Sequence, residues 1–184
     1  MKIFPSVFVV FQQSQCRGVG KTAVSVGLQA NDRRETSREQ KVTSDIEIRT
    51  ADARDLAALR ELYASAFPDE DLFPLVSNLL GGTAPILSLV AMSGGRPVGH
   101  VIFTHCTVEP GAVTAALLGP LCVAPERQKG GVGSALVRAG FEDLKAQVSN
   151  VLVLGDPRYY GRFGFKPDHL VETPHPIPVA WKDA

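Results

Sequence analysis

Between Leu117 and Leu144 an apolar run ends in a glycine-rich turn and restarts as an amphipathic helix, and this stretch constrains the chain more than any other. Leu117, Leu118, Leu121, Cys122 and Val123 have strand character. Gly119-Pro120 interrupts them, a pair that a central strand disfavours and that predicts a bulge or splay. Pro125 stops the strand. After Glu126-Arg127 comes Gln128-Lys129-Gly130-Gly131-Val132-Gly133-Ser134, and Val132, Leu136, Phe141 and Leu144 then fall near one face at helical spacing. The helix is therefore expected to begin inside the glycines. Its first amides have no intrahelical partner, the macrodipole adds partial positive charge there, and glycines let a ligand approach the backbone. Arg127 and Lys129 add charge beside those amides, so the turn reads as an anion cradle that suits a polyphosphate better than a neutral ligand.

The spacing Gln128-x-x-Gly131-x-Gly133 on a strand-turn-helix resembles the coenzyme A pyrophosphate loop, Q/R-x-x-G-x-G/A, of the GNAT superfamily of acyl-CoA-dependent N-acyltransferases. A second element, Gly155-Asp156-Pro157-Arg158-Tyr159-Tyr160-Gly161-Arg162-Phe163-Gly164-Phe165, is similar to the Y-x-x-x-G-F element that closes that fold, in the G-D-P-x-Y-Y form of one branch of acetyltransferases. The resemblance runs from Asp45 to Pro167.

It implies an α/β (α+β) domain with a mixed, mostly antiparallel sheet of six to seven strands and helices on both faces. It also implies acetyl-CoA as cosubstrate, held by Gln128, Lys129, Gly130, Gly131, Val132, Gly133 and Ser134. The backbone of Leu121, Cys122 and Val123 would pair with the pantetheine arm and contact the oxyanion. Tyr160, five residues before Phe165, stands where these enzymes carry the tyrosine that protonates the CoA sulphur; the alternative is that it only packs at the helix start. Tyr159 is the lesser candidate, assigned to the acceptor pocket.

The residues themselves support a coarse order of elements. Ile46 and Ile48 alternate with Glu47 and Arg49 as in a strand. Asp52 and Asp55 suit the first turn of a helix whose apolar face carries Leu56, Leu59, Leu62, Tyr63 and Phe67. Pro68 to Asp71 break it, and a second helix holds Leu72, Leu75, Val76, Leu79 and Leu80. Strands follow at Ile86–Ala91 and Val98–Phe103 around Gly94-Gly95, and Val151–Leu154 reads as a buried strand after the cradle helix.

Composition excludes more than it assigns. Net charge is zero and pI near neutral, which recommends neither nucleic acid nor an anionic membrane as partner. Three cysteines without paired spacing argue against a disulfide framework and for a reducing, cytoplasmic compartment, and with four scattered histidines they form no zinc spacing, so no metal is expected. Cys122 has no neighbouring histidine in sequence and reads as a packing cysteine rather than a nucleophile, which favours direct transfer in a ternary complex over a covalent relay. His100 and His105 read as strand residues. No general base is marked: Glu70, Asp71 and Asp156 are candidates, each more at home as a cap, turn or solvated residue.

Residues 1–44 lie outside the resemblance and read as an N-terminal extension and polar linker, poorly ordered, before a domain spanning 45–184. Gly18-Val19-Gly20-Lys21-Thr22 imitates a P-loop but has Gln15 where the first glycine belongs. Pro174, Pro176 and Pro178 leave room for only a short edge strand at Ile177–Trp181, an arrangement that would open the site or call for a partner subunit in a homodimer.

The leading expectation is an N-acetyltransferase moving acetyl from acetyl-CoA to a primary amine on a small molecule or peptide. Its rival is a CoA-binding sensor or structural module without turnover, and a P-loop-like nucleotide binder is a distant third.

Overall fold

Strand β5 sets the layering of the fold, because successive side chains of a strand leave on opposite faces. The computed structural model describes residues 16–17, 23–27, 45–109 and 113–168. In chain order the strands are β1 (Cys16–Arg17), β2 (Ala23–Gly27), β3 (Glu47–Thr50), β4 (Ile86–Ser93), β5 (Arg96–Glu109), β6 (Val113–Val123), β7 (Asn150–Val153) and β8 (Lys166–Asp168). The helices are α1 (Leu56–Ala66), α2 (Phe73–Gly81), α3 (Val132–Leu144) and the short α4 (Pro157–Tyr160). Chain contacts divide the molecule into two units, residues 29–103 with 120–143, and residues 1–28 with 104–119 and 144–184. Strands β5 and β6 each contribute a part to both.

In the first unit β3 runs antiparallel to β4, with Glu47 opposite Met92 and Thr50 opposite Leu89. Gly94 and Gly95, both at positive φ (55° and 76°), turn β4 into β5, and only glycine takes two such residues in succession at no steric cost. On one face of β5, His100 and Ile102 meet α1 and α2, in a cluster built from Leu59, Leu62, Tyr63, Val76, Val90, Ile102 and Cys122. On the other face Gly99 and Phe103 meet α3. Helices thus cover both faces of the sheet, and the sheet is mixed and mostly antiparallel, as the resemblance implied.

The entry to α1 follows the aspartates. Asp52 Oδ1 accepts from the Arg54 amide at 2.8 Å, and Asp55 Oδ2 accepts from the Asp52 amide at 2.8 Å, closing a capping box over the 3-10 turn Ala53–Asp55. Arg49 of β3 forks onto the same Asp55 at 2.7 and 2.8 Å, which holds the Asp55 carboxyl below the usual carboxylate range and ties the helix start to the sheet. At α2, Asp71 Oδ1 accepts from the Phe73 amide at 3.2 Å and Pro74 occupies the first turn, where its missing N–H is harmless.

Gly140, in the middle of α3, is a position where the usual rule reverses. Alanine replacing a helical glycine ordinarily gains about 1 kcal/mol. Here an added Cβ would lie inside the van der Waals shell of the Phe103 ring, and Phe103 is fully buried. Overpacking costs of about 1–3 kcal/mol are expected to win, so Gly140→Ala should lower the melting temperature by several degrees. A melt at or above the wild-type temperature would show that Phe103 gives way without cost.

The second unit holds the parallel pairing. Residues Ala115 to Leu118 of β6 run parallel to Asn150 to Val153 of β7, around a small cluster of Ala115, Leu117, Cys106, Val108 and Leu152. β2 lies antiparallel between β7 and β8, with Val24 opposite Val153 on one side and Pro167 on the other, and β1 runs parallel to the end of β5. Ala23-Val-Ser-Val-Gly27 comes from the segment read in sequence as an extension; its alternation of valine with small residues is a strand signal that the adjacent glycine-lysine motif obscured. The motif itself, Gly18 to Thr22, and the expected edge strand at Ile177–Trp181 lie outside the described residues.

Candidate active site

Two features of β6 prepare the cradle. Gly119 has φ 150°, a value that favours glycine, and it is followed by Pro120, which has no amide to donate. Pairing of β6 with β7 ends at Leu118 opposite Val153, immediately before this kink. The positive φ falls at Gly119-Pro120, where sequence expected a bulge or splay, and the strand continues beyond it through Leu121, Cys122 and Val123. The Ala124 amide donates to the Val98 carbonyl at 3.0 Å, which keeps this last part of β6 on β5.

The turn itself spends its early amides internally. Arg127, Gln128 and Gly130 amides donate to Ala124, Pro125 and Arg127 carbonyls at 2.8, 3.3 and 3.3 Å. The first bond of α3 runs from the Ala135 amide to the Gly131 carbonyl at 2.9 Å, so the amides of Val132, Gly133 and Ser134 precede the helical ladder. Gly131 has φ 83°. Lys129 has φ 60°, the one positive value outside glycine among the described residues, and a backbone of that kind costs about 1–3 kcal/mol, which the surrounding turn must overcome. Sequence carried no signal of it.

Charge at the turn is partly committed. Arg127 donates to Asp45 at 3.2 Å and to Ser93 at 2.8 Å, and Ser93 donates to Asp45 at 2.9 Å. Those bonds, with the Ser93 hydroxyl foremost, hold the Asp45 carboxyl below its usual range. Sequence grouped Arg127 with Lys129 as charge beside the amides; the structure gives Arg127 a carboxylate partner and leaves Lys129 exposed on the turn. Gln128 donates its side-chain amide to the Val123 carbonyl at 3.2 Å, joining the turn to the strand it follows. Gly99 was not singled out by sequence: a Cβ there would sit 2.8 Å from Val132 and 2.9 Å from Leu136, so its absence lets the first turn of α3 lie directly on β5.

Tyr160 sits at the end of α4, only 9% exposed, against Tyr159, Phe163 and Phe165. Asp156 caps this helix, accepting from the Arg158 amide at 2.8 Å, while Arg162 stacks over Tyr159 at 4.0 Å. Burial pushes the Tyr160 phenol above its ordinary value, so it holds its proton across neutral pH. Gly155 is the residue that admits the ring, because a Cβ there would overlap Tyr160 Cε2.

Cys122 is buried among α1 and α2 side chains, and burial pushes its thiol up to about 12, which leaves it protonated rather than nucleophilic. Of the acidic candidates for a base, Asp156 caps α4, and Asp71 accepts from the Phe73 amide just ahead of α2. His100 uses both ring nitrogens in hydrogen bonds within the core. Among the described residues no group of three or more His, Cys, Asp or Glu side chains is placed to hold a metal, and no helix is long and apolar enough to cross a membrane.

Residues 47–167, which hold the kinked strand, the cradle and the Tyr160 element, match the family model of the acetyltransferase (GNAT) domain. The chain belongs to the GNAT acetyltransferase family. It is 39% identical over 139 residues to the uncharacterized N-acetyltransferase YjhQ of Escherichia coli (strain K12), covering 71% of this chain and 77% of that one. Among solved structures, a GNAT family acetyltransferase from Brucella melitensis in complex with acetyl-CoA is 33% identical, with a TM-score of 0.61 over 72% of this chain and 91% of that one. The Escherichia coli GNAT N-acetyltransferase YhbS, in complex with CoA, is 29% identical, with a TM-score of 0.62 over 66% of this chain and 69% of that one. This GNAT acetyltransferase is thus an enzyme of acetyl transfer, and its glycine-rich turn lies inside the matched span.

Proposed function

We propose that the protein is an N-acetyltransferase that moves acetyl from acetyl-CoA to a primary amine by direct attack in a ternary complex. The observation that carries the reading is the kinked end of β6 running into a turn that leaves the Val132, Gly133 and Ser134 amides ahead of the α3 ladder. Three convergent donors at a helix start suit a pyrophosphate. That two similar proteins were solved with acetyl-CoA or CoA bound supports the same cosubstrate here.

In this reading Gln128 to Ser134 hold the pyrophosphate, and the backbone of Leu121, Cys122 and Val123 pairs with the pantetheine arm and donates to the developing oxyanion. The amine lone pair attacks the thioester carbonyl, the C–N bond forms and the C–S bond breaks. Tyr160 gives its proton to the departing thiolate, and the amine proton leaves to water. A buried, protonated phenol suits that role, and a buried thiol at Cys122 supports direct transfer over a covalent relay. The acceptor is a small-molecule or peptide amine; the fold leaves its identity to the acceptor pocket.

The test is release of CoA thiol from acetyl-CoA in the presence of a panel of primary amines, covering polyamines, amino sugars and peptides with free N-termini. Amine-dependent release with a matching acetylated product is expected. Acetyl-CoA binding without release on any of them would favour a CoA-binding module without turnover.

A further inference from the structure

Three stretches of chain converge beside the cradle through their side chains. Antiparallel pairing of Glu47 with Met92 brings Asp45, just ahead of β3, alongside Ser93 at the end of β4. The Ala124 amide bond to Val98 sets the exit of β6 against β5, the strand that follows Ser93 across the Gly94-Gly95 turn. Arg127, a little further on, reaches back to both. Its Nη2 donates to Ser93 Oγ at 2.8 Å and to Asp45 Oδ2 at 3.2 Å, and Ser93 Oγ donates to the same Asp45 oxygen at 2.9 Å. The side chains close a ring of hydrogen bonds.

As a source of stability this ring is minor. The Arg127 and Asp45 side chains are 33% and 51% exposed, and an ion pair so open to water contributes little. Its place in the turn gives it another use. The Arg127 carbonyl accepts the Gly130 amide at 3.3 Å and the Arg127 amide donates to the Ala124 carbonyl at 2.8 Å, so a held Arg127 holds the frame of the turn. Inside that frame Lys129 stands at φ 60°, which a residue with a Cβ leaves for a negative φ unless its surroundings prevent it. Beyond it come Val132, Gly133 and Ser134, whose amides precede the α3 ladder. A second side-chain tie, from Gln128 to the Val123 carbonyl at 3.2 Å, returns to the strand that the turn follows. Ser93 and Asp45 belong to a different part of the sheet, and they anchor the turn from outside.

We infer that the Asp45–Ser93–Arg127 ring is a positioning device: it pins the turn at Arg127, keeps Lys129 in its strained conformation and so holds the Val132, Gly133 and Ser134 amides where they meet the pyrophosphate. The inference rests on the acetyl-CoA reading above. Ser93 and Asp45 are positioning residues here, acting through Arg127 without touching the cosubstrate. Their effect falls on affinity for acetyl-CoA rather than on the chemical step.

Ser93→Ala deletes both bonds of the serine hydroxyl without changing charge. It is expected to raise the calorimetric Kd for acetyl-CoA about threefold to tenfold, with kcat at saturating acetyl-CoA within about twofold of wild type and the melting temperature within about 2 °C. The strain at Lys129 supplies a sharper test. Lys129→Gly and Lys129→Ala remove the same charge, but only glycine takes φ 60° freely. Added to Lys129→Ala, the Ser93 change should again cost about threefold to tenfold in Kd; added to Lys129→Gly it should cost less than about twofold. Equal costs in the two backgrounds, an unchanged Kd in Ser93→Ala, or tighter binding from an Arg127 set free for phosphate would each overturn the inference. Exchange of the Gly130 amide with solvent, followed by NMR on the ligand-free protein, reads the turn without acetyl-CoA. Ser93→Ala should speed it severalfold, and an unchanged rate overturns the inference whether or not acetyl-CoA binds. If the wild type binds no acetyl-CoA while that exchange is accelerated, the acetyl-CoA reading fails and the hold on the turn stands.

Discussion

Tyr160→Phe is expected to lower turnover about a hundredfold or more while acetyl-CoA binds as before, the loss typical of removing a positioned proton donor. The phenyl ring keeps every aromatic contact that Tyr160 makes with Tyr159, Phe163 and Phe165, so the variant isolates the hydroxyl. Burial already holds the phenol above its ordinary value, and the wild-type residue stays a donor through the whole range in which a thiol titrates. Steady-state kinetics by thiol release, paired with calorimetric titration of acetyl-CoA, separate the two effects. Full activity in the variant would mean that Tyr160 only packs the start of the closing element, and the proton for the thiolate would then come from water.

The second large effect lies at the cradle. Wild-type protein at an acetyl-CoA concentration of about 100 times Kd should gain about 2.7 kcal/mol of stability, which for a domain of this size raises the melting temperature by roughly 5–10 °C. Gly131→Glu should abolish that shift. A residue with a Cβ is strained at the Gly131 φ of 83°, and a carboxylate would stand where phosphate charge is expected. Gly131→Ala separates the two causes, because it carries the strain without the charge and should keep a reduced shift. Absence of any shift with acetyl-CoA or CoA in the wild type would sink the acyltransferase reading. A shift with ATP alone would direct attention to Gly18 through Thr22, a motif outside the described residues.

The candidate site was largely legible because its elements are local. The glycines of the turn, the start of α3 and the break at Gly119-Pro120 are consequences of backbone chemistry within a few residues, and each lies where sequence placed it. The same holds for Asp52 and Asp55 at the entry to α1. The partners of Arg127 were not legible for a non-local reason: Asp45 and Ser93 are 82 and 34 residues away in the chain. Gly99 and Gly155 escaped notice for the same cause, since the rings and methyls that demand a missing Cβ come from other elements.

By itself, then, sequence determined the family, the order of strands and helices through the matched span, and the turn that offers its amides, because periodicity, glycine and proline act on the chain next to them. Tertiary structure alone decided that Ala23–Gly27 lies between β7 and β8, that Arg127 is held by a carboxylate, and that Tyr63 and Ser88 meet the two ring nitrogens of His100 in the core. Those are pairings between distant residues, chosen by which polar groups can satisfy one another once water is gone, and no local pattern encodes that choice.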